Sequence, residues 1–285
     1  MNRSARPAPD GDRPAATGAN RFLSASRDLR ELWLFAALGL VLLGYLLYPF
    51  VALVGRAGNA PIGESLSSPG VQEAIRNSLL TAPVATAIAT VFGVPLAYAL
   101  ARTSFRGKGL VEALVVAPLV LPPVVAGAML LSGVGGFTTV GSFFAARGLP
   151  LTDSLAGIVL AQTFVSAPFV VITARAGFSS VDRHLERASR SMGYGPVGTF
   201  LHVSLPLSRK MVLAGIVLTF ARAVGEFGAT MMVAYNPRTM PTSIWVAFVT
   251  EGIDATVPIA LALLGISLAV VLAVQLLGGR PSPVE

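Results

Sequence analysis

Two residues of opposite charge, Arg222 and Glu226, stand one helical turn apart within the apolar stretch ARAVGEFGATMMV. A charge at the centre of a bilayer is costly, about 3 kcal/mol on insertion scales. Residues four apart lie on one face of a helix, so the guanidinium and the carboxylate can pair and largely neutralise each other. Ala221, Gly225 and Ala229 lie one position earlier in each turn, where small side chains let another backbone approach closely. We therefore expect the pair to face protein.

Two roles are open for this pair. In the first, Arg222 helps an anion to cross the membrane, or the pair rearranges between inward-open and outward-open states. In the second, the ion pair only fixes the packing of its helix. The residue types fit both roles.

A second candidate for a passage is the pair Pro122 and Pro123 in VAPLVLPPVVAG. Proline removes a backbone donor and kinks a helix, which lipid tolerates only where protein or water satisfies the freed carbonyl. The prolines therefore either line a passage or simply kink a membrane helix, since such helices are rich in proline.

The elements that hold these residues are membrane helices. The 285 residues are 54% hydrophobic and 12% charged with mean hydropathy +0.72, whereas soluble domains are about 25% charged. Crossing a bilayer takes about 20 helical residues, and the apolar runs lack the alternation of barrel strands. The sequence predicts an all-α membrane protein with six transmembrane helices, at about 32–55, 77–101, 113–132, 154–174, 211–234 and 257–279.

The basic residues indicate the orientation. With both termini in the cytoplasm, sixteen of the 21 Lys and Arg residues lie inside, four lie outside and Arg222 lies within a span. The excess agrees with the positive-inside rule, so the net charge of +7 reports topology and gives no reason to expect a nucleic acid partner. Residues 1–30, rich in Pro, Ala and Arg, are expected to form a disordered cytoplasmic tail rather than a signal peptide.

The longest interior loop, residues 178–210, has a helical pattern of its own. Leu185, Ala188 and Met192 share one face, and arginines occupy the others. The pattern predicts two short amphipathic helices joined by a glycine turn, the second of which begins at Pro196 and ends at Pro206. Such a loop either docks on a cytoplasmic partner or packs under its own bundle.

This loop resembles the cytoplasmic signature of ABC-transporter permease subunits, in which a Glu-Ala-Ala start, a glycine and a terminal Leu-Pro have fixed spacing. The glycine, an aliphatic position and the Leu-Pro correspond to Gly193, Val203, Leu205 and Pro206. Counted back from the glycine, the Glu-Ala-Ala positions hold Arg187, Ala188 and Ser189, and the nearest acid is Glu186. By this resemblance, residues 178–210 form a coupling loop.

Two further stretches, ARTSFRGKGLVEALVVAPLVLPPVVAG and FARAVGEFGATMMV with Phe227, resemble the molybdate and sulfate branch of these permeases. The LPPVVAG form favours molybdate. The resemblance covers about residues 75–275 and implies a type I ABC importer-like fold in the cell's inner membrane. We take Pro122, Pro123, Arg222, Glu226 and Phe227 as the candidate residues of the translocation path or its gate.

The partners implied by the resemblance are two ATP-binding subunits at the coupling loop, a second permease copy, most simply an identical one, and an external oxyanion-binding protein. The chain itself has no phosphate-binding G-x-x-x-x-G-K-[ST] motif and no cysteine. Its two histidines, His184 and His202, lie in the loop and are read as loop residues rather than ligands. No catalytic residue, metal site or cofactor is therefore expected.

Two other functions fit parts of the sequence less well. A secondary transporter of a small anion, driven by an ion gradient, would need ionisable groups within spans, where Glu226 is the only acid, and would leave the coupling loop without a purpose. A membrane-embedded enzyme would need a nucleophile or metal cluster at membrane depth.

Overall fold

A computed structural model describes the backbone of residues 18–277 and the side chains of 33, 35–58 and 60–272. Every regular element in this part of the chain is helical. The helices are α1 (Gly18–Arg56), α2 (Ile62–Ser67), α3 (Pro69–Arg102), α4 (Lys108–Val120), α5 (Pro123–Val134), α6 (Thr139–Ala145), α7 (Leu155–Ser180), α8 (Arg183–Ser191), α9 (Pro196–Thr199), α10 (Leu205–Val224), α11 (Gly228–Val233), α12 (Met240–Glu251) and α13 (Ile253–Leu277).

The predicted all-α membrane class is confirmed. Within the described residues, five helical segments are long and apolar enough to cross a membrane, and a sixth arises if α4 and α5 count as one span. The chain divides into two units, residues 1–55 and residues 56–285. The first unit contains most of α1, whose segment from Phe35 onward has a mean hydropathy of 2.3.

The predicted disordered tail, residues 1–30, is only partly covered. Residues 1–17 lie outside the described part of the chain, as do residues 278–285. Helix α1 begins at Gly18, so residues 18–30 are helical and the prediction of disorder is wrong for them.

The core of the second unit is formed by α3, α7 and α10. One buried cluster joins residues such as Ala97 and Leu100 of α3, Val170 and Phe178 of α7, and Val212 of α10. Glycines let these helices approach: a Cβ atom at Gly215 would lie 3.0 Å from the Cα of Val170. Close packing of this kind replaces the hydrophobic driving force that lipid cannot supply between membrane helices.

The third predicted span, near 113–132, is broken. Helix α4 ends at Val120, α5 begins at Pro123, and the two axes differ by 118°. The physical reason is the proline pair, because Pro122 and Pro123 donate no backbone hydrogen bond and hold the residue before them in an extended conformation. Leu121 indeed has φ −71° and ψ 138°. The kink that the prolines predict for this span is therefore present as a full break between two helices.

The helix predicted to end at Pro206 does not end there. Helix α9 passes into a π-helical turn, Phe200–Ser204, and this turn passes into α10, in which Pro206 lies in the first turn. The Leu205 N–H donates to the Phe200 carbonyl five residues back. The wider turn removes the regular i to i−4 pattern just before the proline, so the helix continues past it.

The fifth predicted span, 211–234, is also not one helix. Helix α10 ends at Val224, the next three residues are not helical, and α11 begins at Gly228. Glu226 therefore lies beyond the end of the helix that carries Arg222.

Candidate functional site

The two helix breaks lie against each other. A Cβ atom at Gly228, the first residue of α11, would lie 2.8 Å from the Cβ of Pro123, the first residue of α5. One turn on, a Cβ atom at Gly127 would lie 2.7 Å from the Cβ of Met232 and 2.8 Å from the Cα of Ala229. The half-helices α5 and α11 thus pack backbone to backbone, and the structure brings the predicted proline pair to the segment that contains Glu226 and Phe227.

The predicted ion pair is present, although not on one continuous helix. The Nη1 atom of Arg222 lies 2.5 Å from Oε2 of Glu226. The other carboxylate oxygen, Oε1, accepts a hydrogen bond of 2.7 Å from the backbone N–H of Ala229. Glu226 therefore caps α11 while it neutralises Arg222, and both contacts compensate the burial of its charge.

The two members of the pair differ in exposure. The Glu226 side chain is 1% exposed, whereas the Arg222 side chain is 27% exposed. Each guanidinium has five N–H donors, and one contact with Glu226 leaves others free to bind an acceptor. The cation of the pair is therefore accessible, and its acid is buried.

Aromatic rings lie beside the break in α10. The ring centroids of Phe227 and Trp245 are 5.6 Å apart, and those of Trp245 and Phe248 are 6.2 Å apart. Together with Gly225 and Leu263, they line an apolar cavity of about 340 Å³. Phe227 therefore packs on α12 and forms part of the wall of this cavity.

Sequence reasoning missed three buried polar side chains. Gln162 of α7, Thr219 of α10 and Thr230 of α11 are fully buried, and their side-chain polar atoms have no hydrogen-bond partner in the described part of the chain. The signal for Gln162 was available, because an amide at membrane depth in an apolar run is costly and usually functional. Within the described residues, no group of His, Asp or Glu side chains converges to hold a metal ion.

At the other end of α10, the coupling loop is fastened to the bundle by Glu186. This side chain lies on α8 and is buried; its Oε1 atom accepts hydrogen bonds from Nε of Arg102, at 2.8 Å, and from Oγ of Ser204. Arg102, the last residue of α3, also donates to the Val181 carbonyl at 3.1 Å. One carboxylate therefore joins α8 to the end of α3 and to the π-helical turn that leads into α10.

Two further contacts hold the loop. The hydroxyls of Ser189 and Thr199, both buried, lie 3.3 Å apart and join α8 to α9. The ring of Phe200 packs on Tyr98 of α3 and on Phe178 of α7, with centroids 4.9 Å and 5.8 Å away. The second half of the loop, α9 and the π-helical turn, is therefore anchored in the core.

The opposite side of α8 is uncovered. Leu185 and Met192 are 49% and 74% exposed, and Ala188 and Arg187 are exposed as well. Asp182 caps the start of the helix, because its carboxylate accepts the His184 N–H, and the helix ends before Gly193, which has φ +93°. A residue with a side chain is strained at that φ, so glycine permits the sharp turn. The apolar face that the sequence predicted exists and has no covering element in the described chain.

The remaining predicted loop residues lie in or beside the π-helical turn. Val203 and Leu205 are half-buried, and Pro206 is exposed in the first turn of α10. His202 binds the Gly198 carbonyl through Nδ1 at 2.9 Å, and its ring lies 5.2 Å from that of Tyr194.

The opposite, predicted external end of the second unit carries a cavity of about 610 Å³. It is lined by the start of α3, by α12 and by the segment around Arg238, with the acids Glu73, Asp153 and Glu251. Asp153 fixes the end of α11, because its Oδ1 atom accepts the Tyr235 N–H and its own N–H donates to the Val233 carbonyl.

Comparison with known proteins assigns the family. Residues 89–282 match the model of the family described as binding-protein-dependent transport system inner membrane component. The chain is 48% identical over 263 residues to a probable molybdenum ABC transporter permease protein of Haloferax volcanii, covering 90% of this chain and 94% of that one. It is 41% identical to a molybdate/tungstate transport system permease protein of Thermococcus kodakarensis, covering 88% and 97%.

The fold is shared with a solved permease. A chain from the crystal structure of a bacterial ABC transporter involved in the import of the acidic polysaccharide alginate matches with a TM-score of 0.66 at 16% identity, over 90% of this chain and 98% of that chain. The predicted type I ABC importer-like fold is thereby confirmed. The chain belongs to the family of binding-protein-dependent transport system inner membrane components and is a multi-pass permease subunit of an ABC importer.

Proposed function

We propose that this permease, paired with a second and most simply identical copy, forms the translocation path for a tetrahedral oxyanion, with molybdate as the first candidate and tungstate as the next. Separate ATP-binding subunits, two per complex, dock at the coupling loop and supply the energy. An external oxyanion-binding protein delivers the anion. The substrate class is supported by the relatives at 48% and 41% identity, whose names specify molybdenum and molybdate/tungstate.

The coupling loop supports the assignment of an ATPase partner. The exposed apolar stripe of Leu185, Ala188 and Met192 has the spacing of a helix that lies in a groove of another protein. The turn at Gly193 fixes the length of α8 and therefore the register of this stripe. The chain's own sequence contains no phosphate-binding motif, so hydrolysis needs a partner.

The observation that carries the proposal is the mechanical path from α8 to Arg222. Glu186 joins α8 to Ser204, and from Pro196 the chain runs through the π-helical turn and α10 to Val224 without a non-helical residue. Nucleotide-driven closure of the ATPases would displace α8, and the displacement would reach the end of α10, where Arg222 meets Glu226. Two arrangements of this end would then supply inward-open and outward-open states.

The break itself suits an anion path. Discontinuous helices that pack at membrane depth, with a cation beside them, are a recurrent way to build substrate passages in transporters. Arg222 is the member of the pair that remains partly exposed, and a tetrahedral oxyanion can accept hydrogen bonds from its free N–H groups. Pro122, Pro123 and Phe227 would shape the passage around it.

Reconstituted uptake tests the function. The permease, its ATPase and its binding protein are placed in proteoliposomes, and uptake of radiolabelled molybdate is measured with ATP inside, with and without vanadate. We expect uptake that needs ATP and binding protein, stops with vanadate and is competed by tungstate more strongly than by sulfate. Uptake driven by a proton or sodium gradient without ATP would favour the secondary transporter instead. If uptake prefers sulfate, the chain is still an importer permease, but its substrate is sulfate rather than molybdate.

A further inference from the structure

A group of arginines surrounds a cavity on the coupling loop. The cavity, about 370 Å³, is lined by Arg102, Arg183, Glu186, Arg187 and Arg190. Glu186 and Arg102 form its buried floor and neutralise each other through the 2.8 Å contact. The other three arginines belong to α8 and are exposed at its rim.

These three arginines have no acid of their own. Among the described side chains, no carboxylate lies within ion-pair distance of the guanidinium of Arg183, Arg187 or Arg190. The nearby Asp182 carboxylate is used to cap α8. The Arg187 Nε atom makes only a long contact, 3.4 Å, with the Arg183 carbonyl. The cavity therefore carries three positive charges without a counterion from this part of the chain.

The arrangement of the charges matches a protein surface better than a small free anion. Residues 183, 187 and 190 follow the helical repeat, so they form one cationic stripe along α8. Leu185, Ala188 and Met192 form a second, apolar stripe, which the same repeat places on the opposite side of α8. A small anion would use only the first stripe, whereas a groove with an apolar floor and acidic rim would use both.

The direction of the Glu186 side chain sets the charge of this face. Glu186 is the one acid of α8, and it is turned into the bundle against Arg102, so the exposed charges of the helix are all basic. A partner that fits this face needs the opposite charge.

We propose that the ATP-binding subunit presents Asp or Glu side chains that enter this cavity and pair with Arg183, Arg187 and Arg190, in addition to the apolar contact of α8. Arginine suits such pairing because its planar fork binds carboxylates through two N–H groups at once. This inference rests on the proposed function, since it specifies the chemistry of the surface that the coupling loop meets.

Zero-length cross-linking of the assembled complex tests the proposal. Each arginine is replaced singly, as Arg183→Lys, Arg187→Lys or Arg190→Lys, which keeps the charge and adds a primary amine. A carbodiimide then joins that amine to any carboxylate in contact, with loss of water, and mass spectrometry of the peptides identifies the partner residue. We expect at least the Arg187→Lys variant to be joined to an Asp or Glu of the ATP-binding subunit. Arg106→Lys, an exposed arginine between α3 and α4, is the control that should stay unjoined.

A charge reversal adds a quantitative readout. Arg187→Glu should weaken retention of the ATP-binding subunit about tenfold at low salt, because reversal places like charges across the contact. Arg187→Lys should weaken it less, because lysine keeps the charge and loses only the paired N–H geometry. Arg187 is exposed, so folding of both variants should be unaffected, and their melting temperatures in detergent verify this.

The possible failures are distinguishable. If the ATP-binding subunit purifies with the intact chain but none of the three lysines is joined to it, the acidic contact is wrong and the proposed function stands. If Arg187→Glu weakens binding of the detergent-solubilised permease to vesicles that contain phosphatidylglycerol, and leaves binding of the ATPase unchanged, the stripe meets anionic lipid and the proposal is overturned. If no ATPase purifies with the intact chain, the proposed function itself fails.

Discussion

Glu186 and Glu226 are both buried carboxylates that contact an arginine, yet the two pairs are built differently. Glu186 meets Arg102, which is 84 residues away in the chain, and the two side chains are 7% and 9% exposed. Glu226 meets Arg222, four residues away, and only the acid is fully buried. The first pair joins separate helices, whereas the second stands at the end of one helix.

The difference indicates different tasks. The Glu186–Arg102 pair has little freedom to exchange partners, because both side chains are buried and the acid also binds Ser204. It is therefore suited to hold the coupling loop in a fixed position on the bundle. A pair with a partly exposed cation can exchange its contact for a ligand at lower cost, because water already reaches the guanidinium. We therefore propose that Glu186 transmits motion from the coupling loop and that Arg222 contacts the anion.

The largest expected effect is on stability, from Glu186→Ala. Removal of one partner of a buried ion pair leaves the other charge uncompensated, which typically costs about 3–5 kcal/mol. The variant should melt at a much lower temperature in detergent and retain little ATP-binding subunit. Glu64→Ala, which changes an exposed acid of α2, is the control and should leave melting unchanged. An unchanged melting temperature in Glu186→Ala would contradict the claim that this carboxylate holds the coupling loop to the bundle.

Next in size is Arg222→Met, which leaves Glu226 buried without its cation. Because Arg222 is partly exposed, we expect a smaller loss, about 1–3 kcal/mol, together with loss of molybdate uptake. The double variant Arg222→Met/Glu226→Gln should regain stability, since a neutral amide can still accept the Ala229 N–H. If the double variant also regains uptake, the pair is only structural and the comparison between the two arginines fails.

A third prediction concerns the contact of the two half-helices. Gly127→Ala would place a methyl group within 2.8 Å of the Ala229 backbone, so α5 and α11 must move apart at a cost of about 1–3 kcal/mol. Gly133→Ala, in the same helix, has nothing within 4 Å and should be neutral or slightly stabilising. Thermal melting and molybdate uptake of the two variants measure the difference. Equal melting temperatures and uptake rates would contradict the close packing of α5 on α11.

The smallest expected effect is that of Ser204→Ala. It removes one hydrogen bond to Glu186 while the contact with Arg102 remains, so the free energy of unfolding should fall by about 1 kcal/mol. Ser191→Ala, which loses only a local bond of an exposed hydroxyl, should change it by a few tenths at most. Chemical denaturation in detergent resolves the two, and a loss as large as that of Glu186→Ala would mean that Ser204 has a further role.

Much of the fold could be predicted from the sequence because lipid imposes a simple rule. Uninterrupted apolar runs of about 20 residues mark helices, and charged residues mark their ends. That rule located the helical segments and the coupling loop. It could not predict the breaks between α4 and α5 and between α10 and α11. Gly225 permits a helix to end without requiring it, and proline is tolerated in many membrane helices.

Contacts between residues that are close in sequence were predictable in the candidate site, whereas contacts between distant residues were not. Arg222 and Glu226 are close in sequence, so their pairing follows from helical spacing. The partner of Glu186 is not indicated by any pattern, since Arg102 is distant in the chain and lies in a region that the positive-inside rule already explains. Pro206 was misread for a related reason: the π-helical turn that admits it depends on the packing of Phe200 in the core.

The measurement that tests the account most directly is the number of molybdate ions taken up per ATP hydrolysed, in proteoliposomes with Glu186→Gln beside the intact permease. The amide keeps the size of the side chain and weakens its hold on Arg102 and Ser204. We expect ATP hydrolysis to continue while uptake per ATP falls about tenfold. Charge-assisted hydrogen bonds are roughly twice as strong as neutral ones, so the amide holds Arg102 and Ser204 more weakly. An unchanged ratio, with both rates preserved, would show that Glu186 does not transmit the motion of the ATPase to the membrane path.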